Sequence, residues 1–135
     1  MIRLRSKTKT NDEATCDVTM LHMPIFWDCP AKILNFPKKE SIIKGRTLDL
    51  QCQAQGYPPP KVTWYIGNLM ASQLKETDFR ISISTISSRL TNSSLIVRNM
   101  DVPDRGLYTC RAENSIDSGL TTSYDEESVF VHVRD

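Results

Sequence analysis

The chain predicts an all-β fold, an antiparallel β-sandwich, on three observations. Stretches in which apolar and polar residues alternate recur about every 8–12 residues, with turn signals between them. No stretch carries a helical period of convincing length, and no internal repeat is visible. Two cysteines far apart in the chain, Cys52 and Cys110, each stand on the apolar side of an alternating stretch. A sandwich can place two such strands in opposite sheets and join them through its core. The 135 residues suffice for one domain and an extension, read here as residues 31–135 and 1–30.

The extension starts basic, with Arg3, Arg5, Lys7 and Lys9 among Ser and Thr, and its first residues show no period. It then turns apolar: Met20, Leu21, Met23, Ile25, Phe26 and Trp27 lie between Cys16 and Cys29. Three readings stay open. Cys16 and Cys29 close a small hairpin or loop, a bridge worth about 3 kcal/mol in the chain-entropy model. Alternatively Cys16 ends a preceding domain, or the apolar side chains form an exposed contact segment.

From Ala31 the pattern is strand-like. Lys32-Ile33-Leu34 reads as a short strand ended by Pro37 and resumed by Ser41-Ile42-Ile43, with a turn at Lys44-Gly45. Residues 47–54 alternate, with Leu48, Leu50, Cys52 and Ala54 on one side. Gly56-Tyr57-Pro58-Pro59-Pro60 reads as a stiff, exposed loop, because proline fixes φ and removes a donor. Lys61-Val62-Thr63-Trp64-Tyr65-Ile66 is a strand that buries Val62, Trp64 and Ile66. Residues 69–78 lack a period and are expected to form a short edge strand and loop. Residues 79–84 alternate with Phe79, Ile81 and Ile83 inward; Leu95 and Val97 point inward from the next strand. An acidic loop is expected around Tyr124-Asp125-Glu126-Glu127, and a last strand with Val129, Val131 and Val133 on one face.

Lys and Arg number 17 against 16 Asp and Glu, a net charge of +1 that exerts no general pull on nucleic acid or anionic membranes. The four cysteines include no Cys-x-x-Cys, and His22 and His132 stand alone, so the cysteines read as disulfides and the compartment as extracellular. No zinc ligand set of about four is in view from Cys16, His22 and Cys29, and no metal or cofactor is expected. No nucleophile–base pair is visible, so no enzyme is expected. Asn92-Ser93-Ser94 is an N-glycosylation acceptor where a hairpin surface is expected. No apolar run follows the basic start, and none approaches the ~20 residues of a membrane span. The chain is therefore expected to be a piece of a larger secreted or membrane protein.

The stretch Asp104-Arg105-Gly106-Leu107-Tyr108-Thr109-Cys110 organises the domain. Trp64 can pack against the sulfurs of Cys52 and Cys110. The Tyr108 hydroxyl can return to the backbone at a corner that Gly106 lets turn tightly. Asp104 needs a partner, and Arg80 is the natural one. Cys52, Trp64 and Asp104-x-Gly106-x-Tyr108-x-Cys110 together resemble the immunoglobulin superfamily. The run from Gly56 to Tyr65, and Cys110-Arg111-Ala112-Glu113-Asn114, resemble its intermediate (I-set) type. The resemblance covers about residues 31–135 and implies a Greek-key sandwich stapled by Cys52–Cys110. Two departures stand out: Asp117 where I-set domains usually carry glycine, and a final hairpin lengthened through residues 123–127. The organising stretch with the ending Ser128-Val129-Phe130-Val131-His132-Val133-Arg134-Asp135 is similar to the third immunoglobulin domain of receptors of the vascular endothelial and platelet-derived growth factor type. That resemblance implies a share in holding a dimeric cystine-knot ligand.

The expected function is non-catalytic protein recognition in a cell-surface receptor or adhesion protein. Affinity would come from loops or a sheet face with aromatic anchors. The candidate contact residues are Tyr57 beside the prolines, Tyr124 and Glu126 in the acidic stretch, and Trp27 in the extension. The alternative is a structural spacer of a multidomain ectodomain or filament protein. A lesser alternative is heparan sulfate binding by Lys38, Lys39, Lys44 and Arg46.

Overall fold

The computed structural model describes residues 28–135. Strands β1 (Cys29–Asn35), β3 (Leu48–Tyr57), β7 (Thr91–Val97) and β6 (Ile81–Ser87) form a four-stranded sheet in the order β1-β3-β7-β6. Strands β2 (Glu40–Ile43), β9 (Thr121–Arg134), β8 (Gly106–Ile116), β4 (Lys61–Ile66) and β5 (Leu69–Met70) form a five-stranded sheet in the order β2-β9-β8-β4-β5. Neighbouring strands pair antiparallel, except that β2 runs parallel to β9.

The core is what period two dictates. Leu48, Leu50, Cys52 and Ala54 of β3 are buried while Asp49 and Gln51 between them are exposed. Leu95 and Val97 of β7 and Val129 and Val131 of β9 join them, and Tyr108, Cys110 and Ala112 of β8 close the facing side. Cys52 and Cys110 are bonded, S–S 2.08 Å, so the bridge ties the two sheets together. Trp64 pairs with Cys110 across the β4–β8 ladder, and its ring lies 6.0 Å from that of Phe36. Its indole N–H would be costly to bury unpaired; it donates to Ser93 Oγ at 2.8 Å.

Four expectations need correction. Residues 41–43 do not resume the strand of residues 32–34. Pro37 cannot donate to a ladder, and beyond it the chain crosses to the other sheet. The supposed loop at Gly56 and Tyr57 is the end of β3. Gly56 is buried there, and a Cβ on it would lie 2.9 Å from Asn114 Nδ2, 3.0 Å from Pro60 Cγ and 3.2 Å from the Ala31 Cα; bare backbone permits that approach. Phe79 does not point inward. It is 86% exposed, because β6 starts only at Ile81 and a turn closed by Ile81 N to Asp78 O holds Phe79 outside the ladder. The acidic stretch around Tyr124 is strand, not loop: β8 and β9 stay paired out to Ile116 and Thr121, and the turn lies at residues 117–120. Residues 69–78 hold β5 and one helical turn, α1 (Ala71–Leu74).

Removing the bridge frees a loop of 58 residues, so Cys52→Ala/Cys110→Ala is expected to lose about 4 kcal/mol of unfolding free energy. Urea titration of both proteins checks this; equal midpoints would show that the core alone sets the sheet spacing.

Candidate recognition surface

Asp104 ends a 3-10 turn, Val102–Asp104, that leads into β8. Its carboxylate accepts both ends of the Arg80 guanidinium, at 2.8 Å from Nη1 and 2.9 Å from Nη2, and also the backbone N–H of Asp101 at 2.8 Å. Asp78 takes Arg80 Nε at 3.0 Å and Nη2 at 2.8 Å. The Tyr108 hydroxyl donates to the Asp104 carbonyl at 2.6 Å. The Arg80 hydrogen bonds hold the carboxyls of Asp104 and Asp78 below the usual aspartate value, against the opposing effect of burial. Burial, with the Asp104 charge beside it, pushes the Tyr108 phenol up to about 12. The polar groups of this corner are spent on one another, so it braces the entry to β8 and has no free group for chemistry.

The outer face of the five-stranded sheet is different. Alternation brings Leu107, Thr109, Arg111 and Glu113 of β8 to that side, and cross-strand register sets Phe130, Ser128, Glu126 and Tyr124 of β9 opposite them in that order. Leu107 and Phe130 are both exposed, and the Phe130 ring lies 4.7 Å from that of His132. Thr109 and Ser128 share a hydroxyl hydrogen bond of 2.7 Å. Arg111 is the hub: Nη1 donates to Glu126 at 2.8 Å, Nε to Glu113 at 3.1 Å, and the guanidinium carbon sits 3.8 Å from the centre of the Tyr124 ring. These carboxylates, Glu126 first, raise the Arg111 pKa further. Tyr124 is 56% exposed yet held by Arg111. Beside Phe130 and His132, a groove of about 440 Å³ is lined by Lys38, Lys39, Glu40 and Ser41.

The other sequence candidates lie elsewhere. Tyr57 is half-buried and packs with Leu90 around Cys29. Cys29 begins β1 and is buried; its expected bond to Cys16, like Trp27, lies outside the described residues. Asn92 is on the outer face of the four-stranded sheet. Lys38 and Lys39 precede β2 while Lys44 and Arg46 follow it, and Lys44 pairs with Asp101 at 3.7 Å. Among the described residues no group of three His, Cys, Asp or Glu could hold a metal, and no helix is long and apolar enough to cross a membrane.

Three residues that are not among the candidate contact residues hold the surface together. Asn114, buried, accepts from Ala31 N at 3.2 Å and donates to the carbonyls of Cys29 at 2.8 Å and Pro58 at 2.9 Å. Asp125 accepts from Ile33 N at 2.8 Å, which ties β1 to β9. Arg111 stands in the Cys110–Asn114 run, which marks the fold type and not a contact role. Phe130 did leave a signal, an apolar residue on the outward phase of a strand whose valines point in.

A family model described as immunoglobulin domain matches residues 30–114. The chain belongs to the immunoglobulin family. Immunoglobulin superfamily member 10 of Homo sapiens is 33% identical to this immunoglobulin domain over 86 residues, which cover 63% of the chain and 3% of that protein. The cell adhesion molecule DSCAML1 of Gallus gallus is 31% identical over 94 residues, 70% of the chain and 4% of that protein. The domain thus spans only a few per cent of these relatives. The structure of titin domain M7 superposes with a TM-score of 0.65 at 18% identity, covering 84% of this chain and all of that one.

The corner has a pH signature. Asp104 and Asp78 have folded pKa values below the ordinary 3.8, so their stabilisation is present above that pH and is lost as pH falls through the folded values. Tyr108 is raised from 10.0 to about 12, so its contribution is whole below pH 10 and fades towards 12. Asp104→Asn is expected to cost about 2 kcal/mol at pH 7 and to flatten the acid limb. Thermal midpoints measured from pH 2 to 12 test both limbs; an acid limb unchanged in Asp104→Asn would remove the corner as its source.

Proposed function

We propose that this immunoglobulin domain is a non-catalytic, extracellular protein-recognition module of a cell-surface receptor or adhesion protein, and that it binds through the outer face of its five-stranded sheet. The observation that carries the reading is the Arg111–Tyr124 pair. Tyrosine and arginine are, with tryptophan, the side chains most enriched among interface anchors, and here ring and guanidinium already pack on one another, with Arg111 hydrogen-bonded to Glu126 and Glu113. A side chain already ordered loses less entropy on binding. Leu107 and Phe130 add apolar area to the same face. The Cys52–Cys110 bond supports an oxidising compartment, and the likeness to a cell adhesion molecule supports the adhesion class. The strand order, with β2 parallel to β9, supports the intermediate set within the family. Residues 31–135 are taken as the recognition unit and 1–30 as its extension.

A structural spacer is the second reading; the outer face of the four-stranded sheet, whose polar side chains bond largely to one another, favours it. Heparan sulfate is not the partner proposed, because the four cations flank β2 on both ends, Lys39 and Lys44 lying roughly 17 Å apart at strand rise, and Lys44 is already paired with Asp101.

The test is a binding screen of the full chain against extracellular proteins, dimeric cystine-knot growth factors included. Tyr124→Ala and Leu107→Glu are each expected to weaken the partner found by tenfold or more, about 1.4 kcal/mol, while Phe79→Ala, off the face, leaves it unchanged. Equal affinity in all three would move the site off this sheet, and an empty screen would favour the spacer.

A further inference from the structure

We propose that Asn92 carries an N-linked glycan that lies over the outer face of the four-stranded sheet and shields the edge strand β6; this rests on the extracellular reading above. Asn92-Ser93-Ser94 is the sequence's single acceptor of this kind. It lies within β7, where alternation sorts its three residues by role. Ser93 points into the core and accepts from Trp64. Asn92 and Ser94, the amide and the hydroxyl that glycosylation requires, share the outer side.

The amide is presented in a usable sense. Asn35 donates to Gln53 at 2.8 Å, and Gln53 Nε2 donates to Asn92 Oδ1 at 3.0 Å, a ladder of neutral amides from β1 through β3 to β7. Asn92 Nδ2 makes no hydrogen bond to the described residues. A sugar on Nδ2 leaves Oδ1 an acceptor, so the ladder survives the modification. In the transfer, Nδ2 attacks the anomeric carbon of a lipid-diphosphate-linked oligosaccharide. The C1–N bond forms as the C1–O bond to the diphosphate breaks; Nδ2 gives up one proton and the lipid diphosphate leaves.

What the glycan would cover also points to it. Ile86 of β6 is the cross-strand partner of Asn92 and is 68% exposed. Among the described residues β6 ends its sheet, and its seven residues, Ile81-Ser82-Ile83-Ser84-Thr85-Ile86-Ser87, contain no charge, proline or glycine. Such an edge is a template for a second copy of the same strand, and proteins ordinarily blunt it with charge, proline or a bulge. Here those devices are missing, and an acceptor asparagine stands one strand away. A glycan on this sheet also leaves the opposite, five-stranded face open.

The full chain secreted from eukaryotic cells behind a cleavable signal peptide provides the test. Wild type should show a mass excess removed by peptide:N-glycosidase, and Asn92→Gln and Ser94→Ala should each lose it. In sedimentation velocity the glycosylated protein should stay monomeric, while Asn92→Gln should approach twice the monomer mass as concentration rises; adding Ile86→Lys to Asn92→Gln should restore the monomer. Secreted, fully oxidised wild type without the mass excess would overturn the glycan and leave the extracellular reading intact. Wild type retained in the cell with free thiols would overturn that reading and the proposal with it. A monomeric Asn92→Gln would overturn the shielding role.

Discussion

The covalent tie between Cys52 and Cys110 is the constraint on which the rest depends. It fixes β3 against β8 and so fixes one of the two faces of every strand as interior. Once that is settled, period two assigns the side chains of β3 and of the core part of β8 to the inner or outer side. Trp64 and Tyr108 fill the space beside the bridge, and each brings a polar tip that must be paired. Ser93 takes the indole and the Asp104 carbonyl takes the phenol. The polar atoms of the largest core side chains thus reach out to β7 and to the corner before β8, and bind those elements to the centre.

Much of this was legible because one-sided burial writes itself into the sequence. Leu48, Leu50, Cys52 and Ala54, or Val129 and Val131, can be assigned from spacing alone. Legibility fails where the constraint is not periodic. Phe79 follows the alternation of the strand after it, but the strand begins two residues later and the turn decides its direction. Tyr124 and its acidic neighbours look like a loop because both faces of β9 are polar there, beyond the end of the core. That the strand continues depends on pairing with β8. Arg111 over Tyr124 depends on register, which joins residues far apart in the chain and leaves no local mark. The sheet change after Pro37 is visible only as a stop; the destination is a matter of topology.

Two arginines show how similar chemistry takes different roles by position. Arg80 meets Asp104 where the carboxylate is only 18% exposed, and the pair is completed by backbone groups on both sides. Breaking it strands a partly buried charge, so its effect is on stability. Arg111 meets Glu126 and Glu113 at the surface, where water and salt reduce the worth of an ion pair to about 0–1 kcal/mol. An energetically weak surface cluster that still fixes geometry suits recognition. It costs the fold little, and it holds Tyr124 in one place.

The same division separates the two outer faces. On the four-stranded sheet Asn35, Gln53 and Asn92 are hydrogen-bonded in one row, and Ser94, Gln51 and Asp49 in a second. Those side chains are short and mostly uncharged, and they bond largely among themselves. On the five-stranded sheet the aromatic and apolar side chains of Phe130, Leu107 and Tyr124 stand out of a charged setting. Both faces come from the same alternation around one bridge. Among the described residues, what each sheet presents outward is where specificity must reside. The contrast between a largely amide and hydroxyl face with a glycan acceptor and a face with an arginine-held tyrosine is the strongest physical reason to assign them different tasks.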